Sequence, residues 1–472
     1  MKFNSIEFLV FLCATFFVLW NVRKNLKAFN ILLLLVNYVF YAWWDLRFLL
    51  LILFSSFVDY TVGYFIPNSR HKKLLIGISL SVNLGLLMFF KYVNFFIESF
   101  QDLLHQLNLE ANYHTLNIIL PVGISFYTFQ TLSYSLDVYK GKVKPEKNII
   151  AFLNYVSFFP QLIAGPIERA TTFLPQFSKA RIFNYPQAVQ GLRLLLYGFF
   201  KKMVIADNLG IQIDYVYATY DTQNGFSLFF ATALFFVQLY TDFSAYTDIA
   251  RGVAKLLGFE LVRNFKTPLF SRSIPEFWSR WHISLTNWFR DYFYLWFAGL
   301  YRKSTVWRIL SSVILFVVIG FWHGANYTYI IFGFIHGISF APRILSRHSK
   351  NLRTLFSFLK ENKVASIFAM FGTYSLITIS GVFFRSPNID IAFSIYDSVF
   401  NNFGSSIHPA LLKVSALAAG ILAYEWITKE RDHPFYVEGF HPYVRRGLYV
   451  VMTILILLYG YFGKEPFYYF QF

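Results

Sequence analysis

The run VWRILSSVILFVVIGFWHGANYTYIIFGFIHG, residues 306–337, decides how this chain folds. Its first half is almost wholly apolar up to Phe321, then Trp322, His323, Gly324, Ala325 and Asn326 interrupt it, and a second apolar stretch follows at once. At a rise of about 1.5 Å per residue, each half is on the scale of a crossing of about 30 Å of hydrocarbon, so 305–321 and 326–342 read as a pair of membrane helices joined by a turn. A titratable side chain at the end of such a run is costly to keep, and His323 therefore calls for a functional reading.

The rest of the chain agrees with that pair. Of its 472 residues 56% are hydrophobic and 14% charged, which places it among polytopic membrane proteins. Its 59 Phe and 32 Tyr suit lipid-facing and interfacial positions. The net charge of +17 lies in short clusters between apolar runs, which fits topology signals and contacts with anionic membrane lipids. No soluble module is present to bind nucleic acid. Cys13 is the single cysteine, so neither an intramolecular disulfide nor a cysteine metal cage can form, and no metal site is expected. The first apolar stretch, 6–20, has one Lys before it and Arg23, Lys24 and Lys27 after it, the reverse of a signal peptide, and reads as a retained span.

Charge gives the orientation. Loop 21–27 is basic, as are 67–73 (Arg70, Lys72, Lys73) and 138–147 (Lys140, Lys142, Lys144, Lys147), whereas 99–114 carries Asp102 and Glu110 and no Lys or Arg. Basic loops stay in the cytoplasm, which puts the N-terminus outside. The basic segment 343–363 anchors the second half inside; 364–384, 411–428 and 447–463 then alternate and leave the C-terminus outside as well. Candidate runs at 148–166, 186–206 and 225–250 bring the total to an odd number, whereas two outside termini require an even one, so at least one element is re-entrant or interfacial. LPVGISF (120–126) and PQLIAGPIE (160–168) predict broken helices that protein must shield. The expectation is one all-α integral membrane domain over 1–472, of about eleven to thirteen helical elements, closing with a span and aromatic tail at 447–472.

A second polar island precedes the histidine turn. PEFWSRWHISLTNWFRDY, 275–292, reads as one helix, with Ser273 and Glu276 as a capping box and Pro275 in its first turn. At 100° per residue Phe277, Trp278, Trp281, Leu285, Trp288, Phe289 and Tyr292 share one stripe, with His282 on its edge. Such a helix lies in the interface or plugs a cavity. His282 and His323 each read either as an active-site group or as a histidine hydrogen-bonded to backbone. An imidazole with an ordinary pKa of about 6.5 can take up and return a proton near neutral pH. His336, thirteen residues beyond His323, falls on another face and reads as structural. In FVQLYTDFSAYTDIA (236–250), Gln238 and Asp242 share a face, and Asp242 and Asp248 read either as paired to Arg251 and Arg280 or as functional carboxylates. No glycine-rich phosphate loop, HExxH or GxSxG element occurs.

These motifs together resemble the membrane-bound O-acyltransferase (MBOAT) superfamily, in its bacterial AlgI/PatA-like branch, a relative of the DltB proteins. The resemblance rests on LPVGISFYTFQTLSYSLDVYKG (120–141), FFPQLIAGPIER (158–169), YGFFKKMVIADNL (197–209), DFSAYTDIA (242–250), RWHISLTNWFRDY (280–292) and FWHGANYTYIIFGFIHG (321–337). It implies a ring of helices around a central tunnel, with His323 as the catalytic histidine and His282 as the second active-site histidine. Trp322, Asn326 and Asp242 would line the substrate path. The tail FYYFQF (467–472) resembles the branch's terminal aromatic motif, which implies that Tyr469 receives the acyl group as a relay; Tyr468 beside it departs from the usual aliphatic residue.

The resulting expectation is acyl transfer from a cytoplasmic thioester, acetyl-CoA, for O-acylation of an extracytoplasmic polysaccharide. His323 serves as general base, and an extracytoplasmic SGNH/GDSL-like transferase carries the group onward. The rival from another class is a transporter that uses Asp242 and Asp248 as coupling carboxylates, which usually brings an internal repeat that is not evident here.

Overall fold

The structure, a computed structural model, describes residues 1–109, 115–301, 304–431, 433–463 and 467. Every regular element among them is helical. Among the described residues eight helices are long and apolar enough to cross a membrane, including Leu46–Asn68, Gly225–Leu256, Thr305–His323 and Lys363–Arg385, and Ile6–Asn21 and Leu26–Ala42 are shorter apolar helices. The chain is therefore an all-α polytopic membrane protein. Internal packing groups it into two bodies, residues 1–192 with 249–262, and residues 193–248 with 263–472.

In the first body the polar residues of the spans satisfy one another. Asp59 on Leu46–Phe65 is wholly buried; Ser79 and Ser135 donate to its Oδ1 at 2.5 and 2.6 Å, and Asn83 Nδ2 donates to its Oδ2 at 2.7 Å. Three helices are thereby cross-linked where lipid offers no partners. The two expected breaks lie against each other. Gly123, at φ +79°, starts the helix Ile124–Tyr139, and a Cβ on it would meet the Leu162 carbonyl oxygen at 2.5 Å. Run 148–166 accordingly splits into Ile149–Ser157 and the single turn Phe159–Leu162. Gln130 and Gln161 donate from Nε2 to the Tyr155 carbonyl at 2.6 and 3.1 Å, and the Tyr155 hydroxyl donates to the Glu168 carbonyl at 3.2 Å. Buried side chains thus replace part of what the broken helices give up.

The second body contains the hairpin read from the sequence, realised as Thr305–His323 and Tyr327–Ile338. Gly320 and Gly333 sit against the Tyr329 and Phe316 carbonyls of the facing helix, and neither position has room for a side chain. Backbones approach this closely only across small residues.

One expectation fails here. The stretch 275–292 is not one helix: Ile274–Arg280 ends, His282 takes the left-handed conformation at φ +44°, and Ile283–Phe289 begins again. The cause lies in the preceding segment. Asn264 accepts from the Ile283 N–H through its backbone carbonyl (2.9 Å) and from the Ser284 N–H through Oδ1 (3.0 Å), while the Lys266 N–H donates to the Arg280 carbonyl at 2.9 Å. Those bonds take backbone groups that a continuous helix would pair internally. The first half starts as read: Ser273 Oγ accepts from the Glu276 N–H at 3.3 Å, although the Glu276 carboxylate reaches the N–H of Arg272 rather than that of Ser273.

Candidate active site

The break gives His282 its surroundings. A non-glycine residue in the left-handed region costs roughly a kilocalorie per mole or more, and persists where neighbours over-determine it. Here the neighbours are the Asn264 bonds on one side and an aromatic cage on the other. The His282 ring meets the Phe243 ring edge-on at 4.8 Å, Phe265 at 6.3 Å and Trp322 at 6.2 Å between centroids. The side chain is wholly buried, and burial pushes the imidazole from its ordinary 6.5 down to about 3, so it is neutral at physiological pH.

His323 closes the helix Thr305–His323 and is buried. Its ring packs edge-on against Phe384 at 5.2 Å and against Trp322 at 4.9 Å. Trp322 therefore packs against both imidazoles, and the two histidines that stand forty-one residues apart in sequence are buried against one indole. Gly324, next in the chain, lies against the Tyr329 ring and leaves no room for a Cβ. The arrangement sets two buried imidazoles against one indole, surroundings in which a proton transfer and a developing charge are both strongly felt.

The other nominated residues have polar partners of their own. Asn326 caps the helix Tyr327–Ile338, accepting from the Thr328 N–H at 3.0 Å and donating to the Pro387 carbonyl at 2.7 Å, so both ends of its amide are engaged in fixing the turn after His323. Asp242 is buried and paired with Lys202 at 2.7 Å, and Asp248 with Lys201 at 2.7 Å. Ion pairing is thus present, through two lysines that were not nominated; Arg280, one of the two arginines that were, pairs with Glu276 at 2.7 Å. The sequence carried a signal for the lysines, since two adjacent ammonium groups inside the run 186–206 must find carboxylates. A π-helical turn, Phe200–Ala206, widens the backbone so that neighbouring side chains can both turn inward, Lys201 to Asp248 and Ser244, and Lys202 to Asp242 and Asp207. Asn264 and its bracket on His282 carry no such signal.

His336 is structural, as read. It is buried, its Nδ1 accepts from Trp278 Nε1 at 3.0 Å, and its Nε2 lies 3.0 Å from Ser380 Oγ. With Nδ1 as acceptor, the ring proton resides on Nε2 and donates to Ser380.

The C-terminal segment returns to the same helices. The Tyr461 N–H donates to the Met203 carbonyl at 2.9 Å, and Phe467 is buried with Lys202 Nζ 4.2 Å from its ring centre and Tyr246 edge-on at 5.1 Å. Tyr246 stands one turn along from Phe243, whose ring touches His282. Tyr468 and Tyr469 lie outside the described residues.

Comparison with known proteins follows the same motifs. The sequence model of MBOAT, the membrane-bound O-acyltransferase family, matches residues 145–384. The chain is 35% identical over 459 residues to a probable alginate O-acetylase AlgI of Azotobacter vinelandii, covering 93% of this chain and 86% of that protein. It is 32% identical over 423 residues to a peptidoglycan O-acetyltransferase of Helicobacter pylori, covering 83% and 77%. A teichoic acid D-alanyltransferase of Streptococcus thermophilus is 26% identical over 302 residues, covering 59% and 72%.

Proposed function

Since this chain belongs to the membrane-bound O-acyltransferase family and is an O-acyltransferase, we propose that it takes an acetyl group from a cytoplasmic thioester, acetyl-CoA, and passes it across the bacterial inner membrane for O-acetylation of an extracytoplasmic polysaccharide. The observation that carries this reading is the burial of His323 and His282 against the one indole of Trp322.

In this mechanism the acceptor is the phenol of Tyr469, on a tail that reaches the outer side with both termini extracytoplasmic. A tyrosine with an ordinary pKa of about 10 is scarcely ionised at neutral pH, so its proton must leave as attack proceeds. His323 takes it, the phenolic oxygen forms the ester bond, and the thiolate of coenzyme A departs. His282, kept neutral by burial, donates its ring N–H toward the carbonyl oxygen as negative charge gathers there. The buried seat of Phe467, two residues before Tyr469, supports the tail as the second reactant. A polysaccharide is too large for the narrow path expected, so an extracytoplasmic SGNH/GDSL-like transferase takes the acetyl group from the tyrosyl ester.

The test is His323→Ala in cells or vesicles supplied with labelled acetyl-CoA. General-base assistance is worth about a hundred- to ten-thousand-fold, and labelled polymer outside should fall by that factor while the protein stays folded in the membrane. Undiminished export of label would remove His323 from the mechanism. The transporter reading gains nothing from Asp242 and Asp248, since each already holds a lysine at 2.7 Å.

A further inference from the structure

A ring from another helix stands against His323. Phe384, near the end of Lys363–Arg385, is buried and packs edge-on against the imidazole at 5.2 Å between centroids. Bonds on both sides of each ring fix this contact. Asn326, three residues after His323, donates to the carbonyl of Pro387, three residues after Phe384, at 2.7 Å, so the two segments are joined just beyond the two rings. One turn before Phe384, Ser380 Oγ lies 3.0 Å from His336 Nε2, and a Cβ on Gly381 would meet the Phe236 ring at 2.1 Å. Arg385 pairs with Asp214 and lies over the Tyr217 ring at 5.0 Å. The rings of Tyr329 and Phe332 stand 5.1 and 5.0 Å from that of Phe384. A ring packed on this many sides has little room to swing aside.

We propose that Phe384 walls the acyl site and sets the length of acyl chain the enzyme accepts, admitting acetyl and refusing longer chains. The assignment rests on the transferase reading above and adds which side chain selects the acyl group. The oxygen that yields its proton to His323 is the atom that bonds the acyl carbon. A base takes such a proton at about 2.6–3.2 Å and attack begins at about 3–3.5 Å, so the acyl carbon comes within about 7 Å of the imidazole nitrogen. The Phe384 ring lies in that same range, and each further methylene competes for volume with whatever packs on His323. Trp322 packs there too, but it also meets His282, which ties its size to both histidines. Phe384 comes from a different helix, so its size is free to set chain length while the histidine turn keeps its form. Interiors give way little, and two extra methylenes pressed against an immobile ring cost about a hundredfold or more in rate.

The test varies donor length with the purified protein in nanodiscs and reads the second-order rate of coenzyme A thiol release, so that no downstream transferase takes part. In the wild type the rate should fall from acetyl- to propionyl- to butyryl-coenzyme A, by about a hundredfold or more in all. Phe384→Ala removes a whole ring, leaves a cavity that the surroundings fill only in part, and should raise the butyryl rate relative to the acetyl rate at least about tenfold. Phe384→Leu, the milder change for folding, should shift the preference in the same direction by less. Phe383→Ala is the matched control: its ring packs against Phe393 and Tyr396, and a cavity there should leave the preference as in the wild type. A wild type that uses the three donors equally would overturn the assignment. So would an unchanged preference in both Phe384 variants, an equal loss on every donor, which would leave Phe384 a packing residue alone, or an equal shift from Phe383→Ala. His323→Ala separates this proposal from the reading beneath it: if it releases thiol as fast as the wild type while the Phe384 variants still shift the preference, the wall stands and the base assignment falls.

Discussion

His282 shows how one residue can be legible in kind and hidden in form. A histidine in so apolar a chain announces a role, but the helical wheel sets it on the edge of a stripe, whereas its left-handed backbone and aromatic cage come from Asn264, Phe243 and Trp322 on other segments. Burial has a measurable consequence. Because the imidazole titrates near 3 in the folded protein and near 6.5 when unfolded, the unfolded chain binds the extra proton between those values. His282 therefore leaves stability untouched above about pH 6.5 and makes it fall as the pH drops from there toward 3. Melting of the detergent-solubilised protein should show a steeper loss between pH 6.5 and 4 for the wild type than for His282→Asn. Parallel curves would mean that the ring is hydrated or charged in the folded state. His336 is held through both ring nitrogens, by Trp278 and Ser380, and its distance from His323 along the sequence was enough to separate the two roles.

At the scale of elements, apolar runs were read with little error, because length and hydropathy are local properties. The segments 364–384 and 411–428 appear as Lys363–Arg385 and Pro409–Thr428. Proline and glycine likewise marked the breaks near 123 and 163, since φ preference and a missing N–H act within a few residues. The break at His282 was not legible, for nothing in RWHIS itself stops a helix. A facing segment imposes it by taking the Ile283 and Ser284 N–H groups. That makes Asn264 a positioning residue. Asn264→Leu removes the Oδ1 acceptor and should let His282 move, and a displacement of about 1 Å at a reacting group costs about a hundredfold in rate. The loss should appear in turnover with coenzyme A affinity close to that of the wild type, and Asn264→Asp, which keeps the acceptor, should recover most of it. A Leu variant with full turnover would show that Asn264 does no more than pack.

At the scale of the molecule, chemistry drawn from distant parts of the chain must meet, and sequence order conceals this. The lysines at 201 and 202, the carboxylates at 242 and 248, and the ring of Phe467 form one interior cluster although they span more than half the chain. The ion pairs fix the helix Gly225–Leu256, on which Phe243 touches His282 and Tyr246 touches Phe467. One helix thus relates the histidine pocket to the seat of the tail, and this is the physical ground for treating the tail as a reactant rather than an interfacial anchor. The two roles differ in what they ask of a hydroxyl. An anchor needs the ring alone, so Tyr469→Phe would be silent; a relay needs the oxygen, and the same change should cut polymer acetylation at least about a hundredfold, the scale of losing a nucleophile or its activation. Tyr468→Phe is the matched control, expected to leave acetylation near normal. The intermediate itself can be sought by mass spectrometry of the C-terminal peptide after incubation with acetyl-CoA in the absence of the downstream transferase. An acetyl adduct should accumulate in the wild type and be missing from Tyr469→Phe and from His323→Ala. Full polymer acetylation by Tyr469→Phe with no adduct in any form would return the tail to anchoring and leave the acceptor hydroxyl to be supplied by another molecule.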